Sequence, residues 1–295
     1  MQSFTIRDIE NLTGIKAHTL RIWEQRYDFF QPKRKESLHR FYDNDDLKQL
    51  LRIAFLYHQG WKVSRIASLS QEQIANEVRN ATVHSSYSQQ VLQLLEIAID
   101  FDEMGFRSMF DRIKKDIGFE NSILEVAYPY LLKLGLLWST NNVIPAQEHF
   151  SSYIIQNLVI DETEQLPAIN RQPEILLFCP EGEFHELPLL FMNYLFRKNG
   201  RSTVYLGTGI QRDELKDFNK FSSIKYIYLH LITNFTGITV DEYLEDICQT
   251  FPHKKVIASG EGLREVQFKC DNLQVLKTDR QVNEFINEIR YEHSS

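Results

Sequence analysis

The side chains best suited to chemistry in the first part of the chain are cations and hydroxyls. Lys16, His18, Thr19 and Arg21 fall at the start of a helical run, and Lys33, Arg34, Lys35 and Arg40 crowd a loop and a short extended piece after Pro32. Basic and hydroxyl groups at the N-terminal end of a helix can reach base edges and phosphates, and a cluster of cations suits a polyanion. The charge count agrees. Residues 1–70 hold 12 Lys+Arg against 8 Asp+Glu, a balance of +4, while the 295-residue chain carries −7 and the remainder therefore −11. A basic head on an acidic body fits a nucleic-acid-binding module joined to something that stays off nucleic acid. Other chemistries are poorly served. Cys179, Cys248 and Cys270 are not in CxxC spacing, which argues against a disulfide scaffold and a Cys-rich zinc site. There is no P-loop and no Ser-His-Asp constellation, so the chain does not read as an enzyme. No apolar run approaches the roughly 18 residues of a membrane span. The start, MQSFTIRDIE, lacks the basic and apolar regions of a secretory signal. The expectation is a reduced, cytoplasmic protein with no membrane partner.

These residues need elements to hold them. Ile6 and Ile9 mark a first helix, Thr13-Gly14 a turn, and Ile15, Thr19, Ile22 and Trp23 a second helix running to Tyr27. Helix, Thr-Gly turn, helix is helix-turn-helix geometry, with the second helix entering the major groove. Trp23 reads as core, sharing a face with Ile15, Thr19 and Ile22; stacking on a base is the other reading. Pro32 ends the element. Asp43 or Asn44 caps a helix carrying Leu47, Leu50, Leu51, Ile53 and Ala54, and Gly60-Trp61 breaks it before Val63, Ile66 and Ala67. The expected domains are a head over 1–75, a linker over 76–88, a four-helix bundle over 89–166 and an α/β domain over 172–295. Gly105, Gly118 and Asn141-Asn142 separate the four bundle helices. After Pro173 short apolar runs (175–179, 202–206, 226–232, 255–259, 273–276) alternate with helices. That pattern predicts a multidomain chain: an all-α winged helix-turn-helix, a bundle, and a flavodoxin-like, doubly wound parallel sheet.

The run TLRIWEQRYDFFQPKRKESLHRFYDNDDLKQLLRI resembles the winged-helix DNA-binding domain of the MerR family of transcriptional regulators. Thr19, Leu20, Arg21, Trp23, Glu24, Arg26 and Tyr27 stand at the recognition-helix positions of that pattern. Pro32, Arg34, Arg40 and Tyr42 stand at the wing positions, and Asp46-Leu47 opens the next helix. The likeness covers about 70 residues, and Leu38 stands where a wing glycine is usual. It implies contact with double-stranded DNA by Lys16, His18, Thr19, Arg21, Arg26, Lys33, Arg34, Lys35, Arg40 and Tyr42. It also implies a homo-oligomer, a dimer or tetramer. Metal sensors of the family place cysteines in or just after the dimerisation helix; none precedes Cys179 here.

Two further motifs resemble the cobalamin-dependent repressors of that family. Trp138 followed by Glu148-His149 is W-x9-E-H, similar to their upper-face signature. Glu183-Phe184-His185 after the first strand resembles the D/E-x-H-x-x-G motif. There the histidine is the lower axial ligand of cobalt, and an acid two residues earlier orients it. The resemblance implies cobalamin, as adenosylcobalamin, held by Trp138, Glu148, His149, Glu183, His185, Thr233 and Gly260, with His185 on the metal. Pro188 stands where the motif has glycine, Glu261 beside the usual double glycine, and Ser139 where light-responsive members carry histidine. Two alternatives stay open: a corrinoid-binding methyl carrier, and a degenerate module acting only in assembly.

Overall fold

The computed structural model describes residues 4–27, 33–34, 40–80, 88–138, 145–233 and 238–291. The chain divides into two compact units, Met1–Ile154 and Ile155–Ser295.

The first unit begins with α1 (Ile6–Thr13) and α2 (Ala17–Arg26). Thr5 opens α1 with a reciprocal capping box to Asp8, and Gly14 ends it at φ +69°. A two-stranded antiparallel ribbon follows, β1 (Lys33–Arg34) against β2 (Arg40–Phe41). Then come α3 (Asn44–His58), α4 (Val63–Ala67) and α5 (Gln71–Asn80). Asp43 caps α3 through a second capping box, with Asp46. Trp23 is core, 5% exposed, with its ring edge-on to Tyr57 at 5.0 Å. Ile22, expected on the same face, is 45% exposed. Helix α5 runs on to Asn80, past residue 76 where the linker was expected to begin; residues 81–87 of that linker lie outside the described residues.

The bundle helices are α6 (Ser88–Ile99), α7 (Glu103–Ile117), and a nearly continuous run made of α8 (Phe119–Asn121), a π turn (Ser122–Ala127) and α9 (Tyr128–Trp138). Helix α10 (Pro145–Glu164) follows. Gly105, expected to separate two helices, lies inside α7. The break is Asp100–Asp102, where Phe101 takes φ +54° and the Asp102 side chain accepts from the Gly105 amide at 2.9 Å. The π turn sits just before Pro129, which has no amide to return to the carbonyl of Glu125. Within the first unit, α3 of the head is ion-paired to α6. Arg52 donates from Nε and Nη2 to the two oxygens of Glu96, at 2.9 and 2.7 Å, and Lys48 pairs with Asp100.

The second unit is a five-stranded, all-parallel sheet: β3 (Ile175–Pro180), β4 (Thr203–Ile210), β5 (Tyr226–His230), β6 (Lys255–Ser259) and β7 (Leu273–Leu276), in spatial order β4-β3-β5-β6-β7. That is the flavodoxin-like doubly wound order, with its switch point between β3 and β5. Helices α11 (Leu187–Lys198), α12 (Arg212–Leu215, continuing as a 3-10 turn over Lys216–Lys220) and α13 (Val240–Thr250) connect the first four strands, and α14 (Asp279–Tyr291) follows β7. All six residues of β3 are buried, as a central parallel strand requires. Successive residues feed two cores: Leu176, Phe178, Ile227 and Leu229 on one side, Ile175, Leu177, Tyr226 and Tyr228 on the other.

Candidate functional site

The N-terminal surface is built on α2. Lys16 precedes the helix and pairs with Glu10 at 3.1 Å, and the same carboxylate accepts from the Ala17 amide at 3.1 Å. That clamp closes the turn between α1 and α2. His18, Arg21 and Arg26 are exposed, and Thr19 is half-buried with its hydroxyl 3.4 Å from His18 Nε2. Leu20 and Trp23 are buried on the opposite side of the helix. One face of α2 therefore carries the polar residues that the sequence nominated. In the ribbon, Lys33 is exposed and pairs with Asp43 and, at 3.7 Å, with Asp46. The backbone places Arg34 on β1 and Arg40 on β2; Lys35 and Leu38 lie outside the described residues. Tyr42 is a correction. It is 1% exposed and its backbone exchanges hydrogen bonds with Phe4 at 2.9 and 2.7 Å, so it is a core residue and not a surface contact.

Glu148 and His149 lie in the first turns of α10, and their side chains meet at 3.2 Å. Gln147, Ser151 and Ile154 bury the opposite side of that helix, with Tyr130 Oη bonded to Ser151 Oγ at 2.5 Å. His149 is consequently 77% exposed. Trp138 closes α9, and residues 139–144 of the motif, Ser139 among them, lie outside the described residues.

The third cluster stands at the C-terminal ends of β3, β5 and β6, where doubly wound sheets bind ligands. Glu183 is fully buried in the loop after β3. Its Oε1 accepts from the His185 amide at 2.9 Å and meets His185 Nδ1 at 2.6 Å. Its Oε2 accepts from the amides of Ile232 and Thr233, both at 2.7 Å, and from the Thr233 hydroxyl at 3.2 Å. Burial raises the pKa of this carboxyl, but the bonds from His185, Thr233 and Ile232 together outweigh it and hold the pKa at about 2. An ionised carboxylate beside Nδ1 makes that nitrogen a donor and fixes the ring's orientation. His185 is 52% exposed, so the cluster places an oriented imidazole at the surface. This donor chemistry suits a cobalt ion.

Glycine matters at the neighbouring loop. Gly260 has φ +117°, and a Cβ there would lie 2.3 Å from the Leu231 carbonyl oxygen. Glu261 pairs with Arg264, three residues on. Pro188 sits in the first turn of α11, where a missing amide costs no helical bond. The sequence thus nominated Glu183, His185, Thr233 and Gly260, and the fold brings all four to one end of the sheet. It missed His230, the last residue of β5. Its Nδ1 is 2.9 Å from Ser259 Oγ, which also meets the Tyr228 hydroxyl. The signal was a lone imidazole inside an otherwise apolar run, Tyr226–Ile232.

Comparison with known proteins follows this division. Residues 4–73 match the family model described as MerR HTH family regulatory protein. Over 93% of its length the chain is 22% identical to the HTH-type transcriptional repressor CarH of Myxococcus xanthus, covering 94% of that protein. It is 26% identical to the HTH-type transcriptional repressor CarA of the same organism over 88% of its length, covering 87% of that protein. Among solved structures, the monomethylamine corrinoid protein of Methanosarcina barkeri overlays 66% of this chain and 96% of its own, with TM-score 0.53 at 12% identity, a likeness of fold.

Proposed function

We propose that this chain, whose residues 4–73 form a MerR helix-turn-helix domain, is a transcriptional repressor that binds double-stranded DNA under the control of a C-terminal cobalamin-binding module. One observation carries the reading. The same chain holds an exposed polar face on the recognition helix and, at the switch point of a doubly wound sheet, an imidazole oriented by a buried carboxylate. The repressors CarH and CarA, similar along nearly the whole chain, support it. The DNA-binding head, matched over residues 4–73, favours regulation over a methyl carrier or another enzyme role.

In this reading Lys16, His18, Thr19, Arg21 and Arg26 approach the major groove, while Lys33, Arg34, Lys35 and Arg40 supply the wing charge that meets phosphates. A single head makes few base contacts, so two heads in a dimer or tetramer multiply the affinity. Adenosylcobalamin is the proposed cofactor, and when bound it would supply a cobalt able to take a nitrogen ligand. His185 would hold the cobalt, Glu183 orients His185, and Thr233 with Gly260 shapes the loop ends beside it. Trp138, Glu148 and His149 are the proposed upper-face residues. Among the described residues no helix is long and apolar enough to cross a membrane.

Two measurements test this. Arg40→Ala is expected to weaken binding to every duplex and to reduce the slope of log affinity against log salt by about one. An unchanged slope removes Arg40 from the contact set. His185→Ala, incubated with adenosylcobalamin in the dark and passed through gel filtration, is expected to emerge without the corrinoid absorption that the wild type retains. Equal retention by both removes His185 as ligand.

A further inference from the structure

Two buried hydroxyls and a half-buried imidazole behind the candidate cofactor site form a chain with one loose end. Tyr228 Oη bonds Ser259 Oγ, and Ser259 Oγ lies 2.9 Å from His230 Nδ1. His230 and Ser259 are register partners on β5 and β6, so the strand pairing fixes their approach. His230 Nε2 is buried and has no hydrogen-bond partner among the described residues. Burial first, and His185 nearby, lower the pKa of His230 to about 4 against the opposing pull of Glu183, so the ring is neutral and carries one proton.

Counting protons decides where that one sits. Tyr228 is 1% exposed and Ser259 3% exposed, so each hydroxyl proton needs an acceptor inside the protein. If Nδ1 carried the imidazole proton, it would donate to Ser259. The Ser259 hydroxyl would then have to turn to Tyr228, stranding the Tyr228 proton, or be stranded itself. With the proton on Nε2 every bond closes: Tyr228 donates to Ser259, and Ser259 donates to His230 Nδ1. The single unmet group is then the Nε2–H donor, at the C-terminal end of the strand beside the switch point.

We propose that His230 is a specificity residue of this site, presenting Nε2–H to an acceptor oxygen of the bound corrinoid, such as an amide or phosphate oxygen. The inference rests on the cobalamin reading for its ligand and on the hydrogen-bond chain for its donor. Buried donors left unmatched are rare in folded proteins, and a ligand acceptor supplies the missing partner. Residue 230 would thus select for ligands with an oxygen at that point, separately from the metal bond of His185.

The test uses the full chain. In cofactor-free protein, 15N-correlated NMR of the His230 ring is expected to show the Nε2–H tautomer; the Nδ1–H tautomer overturns the proposal whatever the cofactor does. In the dark, His230→Phe is expected to bind adenosylcobalamin about tenfold more weakly than the wild type, as for one lost hydrogen bond. His230→Gln, which keeps an N–H donor at that reach, is expected to restore most of the loss. Thermal melts of the three proteins separate a folding defect from a binding defect. Wild-type affinity in a folded His230→Phe overturns the proposal. Failure of the wild type to bind any corrinoid overturns the functional reading instead, and the tautomer still decides whether His230 is a donor.

Discussion

Glu183→Gln is expected to cost the C-terminal unit about 3 kcal/mol at neutral pH. The carboxylate receives five donors and has no acceptor beside it: the amides of His185, Ile232 and Thr233, the His185 ring and the Thr233 hydroxyl. A glutamine offers one oxygen and one NH2, so in either orientation its nitrogen faces at least two donors. The glutamine side chain would itself be shut off from water at that point, because Glu183 is 0% exposed. The pH dependence has a definite sign. The folded pKa is depressed from 4.5 to about 2, so the carboxylate stabilises the fold above about pH 4.5 and that stability is lost as the pH falls toward 2. The gap between wild type and mutant should therefore be widest at pH 7 and shrink below pH 4.5. Denaturant titrations followed by far-ultraviolet circular dichroism measure it, and amide exchange at Ile232 and Thr233 should quicken in the mutant. A gap of constant size from pH 7 to pH 3 would show that the charge is not what these donors recognise. The functional consequence is coupled to the fold. Without the carboxylate, His185 loses the bond that sets its tautomer, and corrinoid retention should fall with it.

The C-terminal unit was largely legible because each of its strands is a compact apolar run bounded by glycine, proline or polar turns. All five strands and the helices between them stand within a few residues of their expected places. Their spatial order followed from a rule about parallel sheets rather than from any residue. The bundle was less legible. Gly105 looked like a helix break, yet glycine here serves the cap of Asp102, and the break falls on Phe101 in a left-handed conformation that no propensity nominates. Tyr42 shows the limit of motif reading. It follows a strand of only two residues, too short for alternation to tell inside from outside, and it bridges Phe4 with its side chain buried. Glu183 and His185 could be matched by spacing, but the second carboxylate oxygen binds backbone amides about fifty residues away, and a backbone donor leaves no trace in sequence. His230 was missed for a related reason. Its partners, Tyr228 and Ser259, become neighbours only through the β5–β6 register.

The glycine after β6 should be as unforgiving as the carboxylate. Gly260→Ala is expected to destabilise the C-terminal unit by roughly 3 kcal/mol or more, for two separable reasons. The first is conformational. At φ +117° an L-residue is strained wherever it sits. The second is contact. The new Cβ would lie 2.3 Å from the Leu231 carbonyl oxygen and 2.8 Å from its carbon, and both atoms are backbone that cannot rotate aside. The same Leu231 is held from its other end, because its amide donates to the Ser259 carbonyl at 2.9 Å and its carbonyl accepts from Gly262 at 3.0 Å. Moving Leu231 to make room would disturb Ile232 and Thr233, which carry three of the Glu183 bonds. Gly209→Ala is the control. Its φ is +73° and nothing lies within 4 Å of the position a Cβ would take, so only the conformational cost, about 1 kcal/mol, should appear. The excess of the first variant over the second measures the clash together with the greater backbone strain at Gly260, whose φ +117°, ψ 163° is a region essentially reserved for glycine. Equal losses in the two would mean that the loops after β5 and β6 can separate without penalty, and the rigid floor beneath His185 and His230 would have to be abandoned. A large excess, accompanied by weaker corrinoid retention, would instead place the close approach of Gly260 and Leu231 among the constraints that set the site.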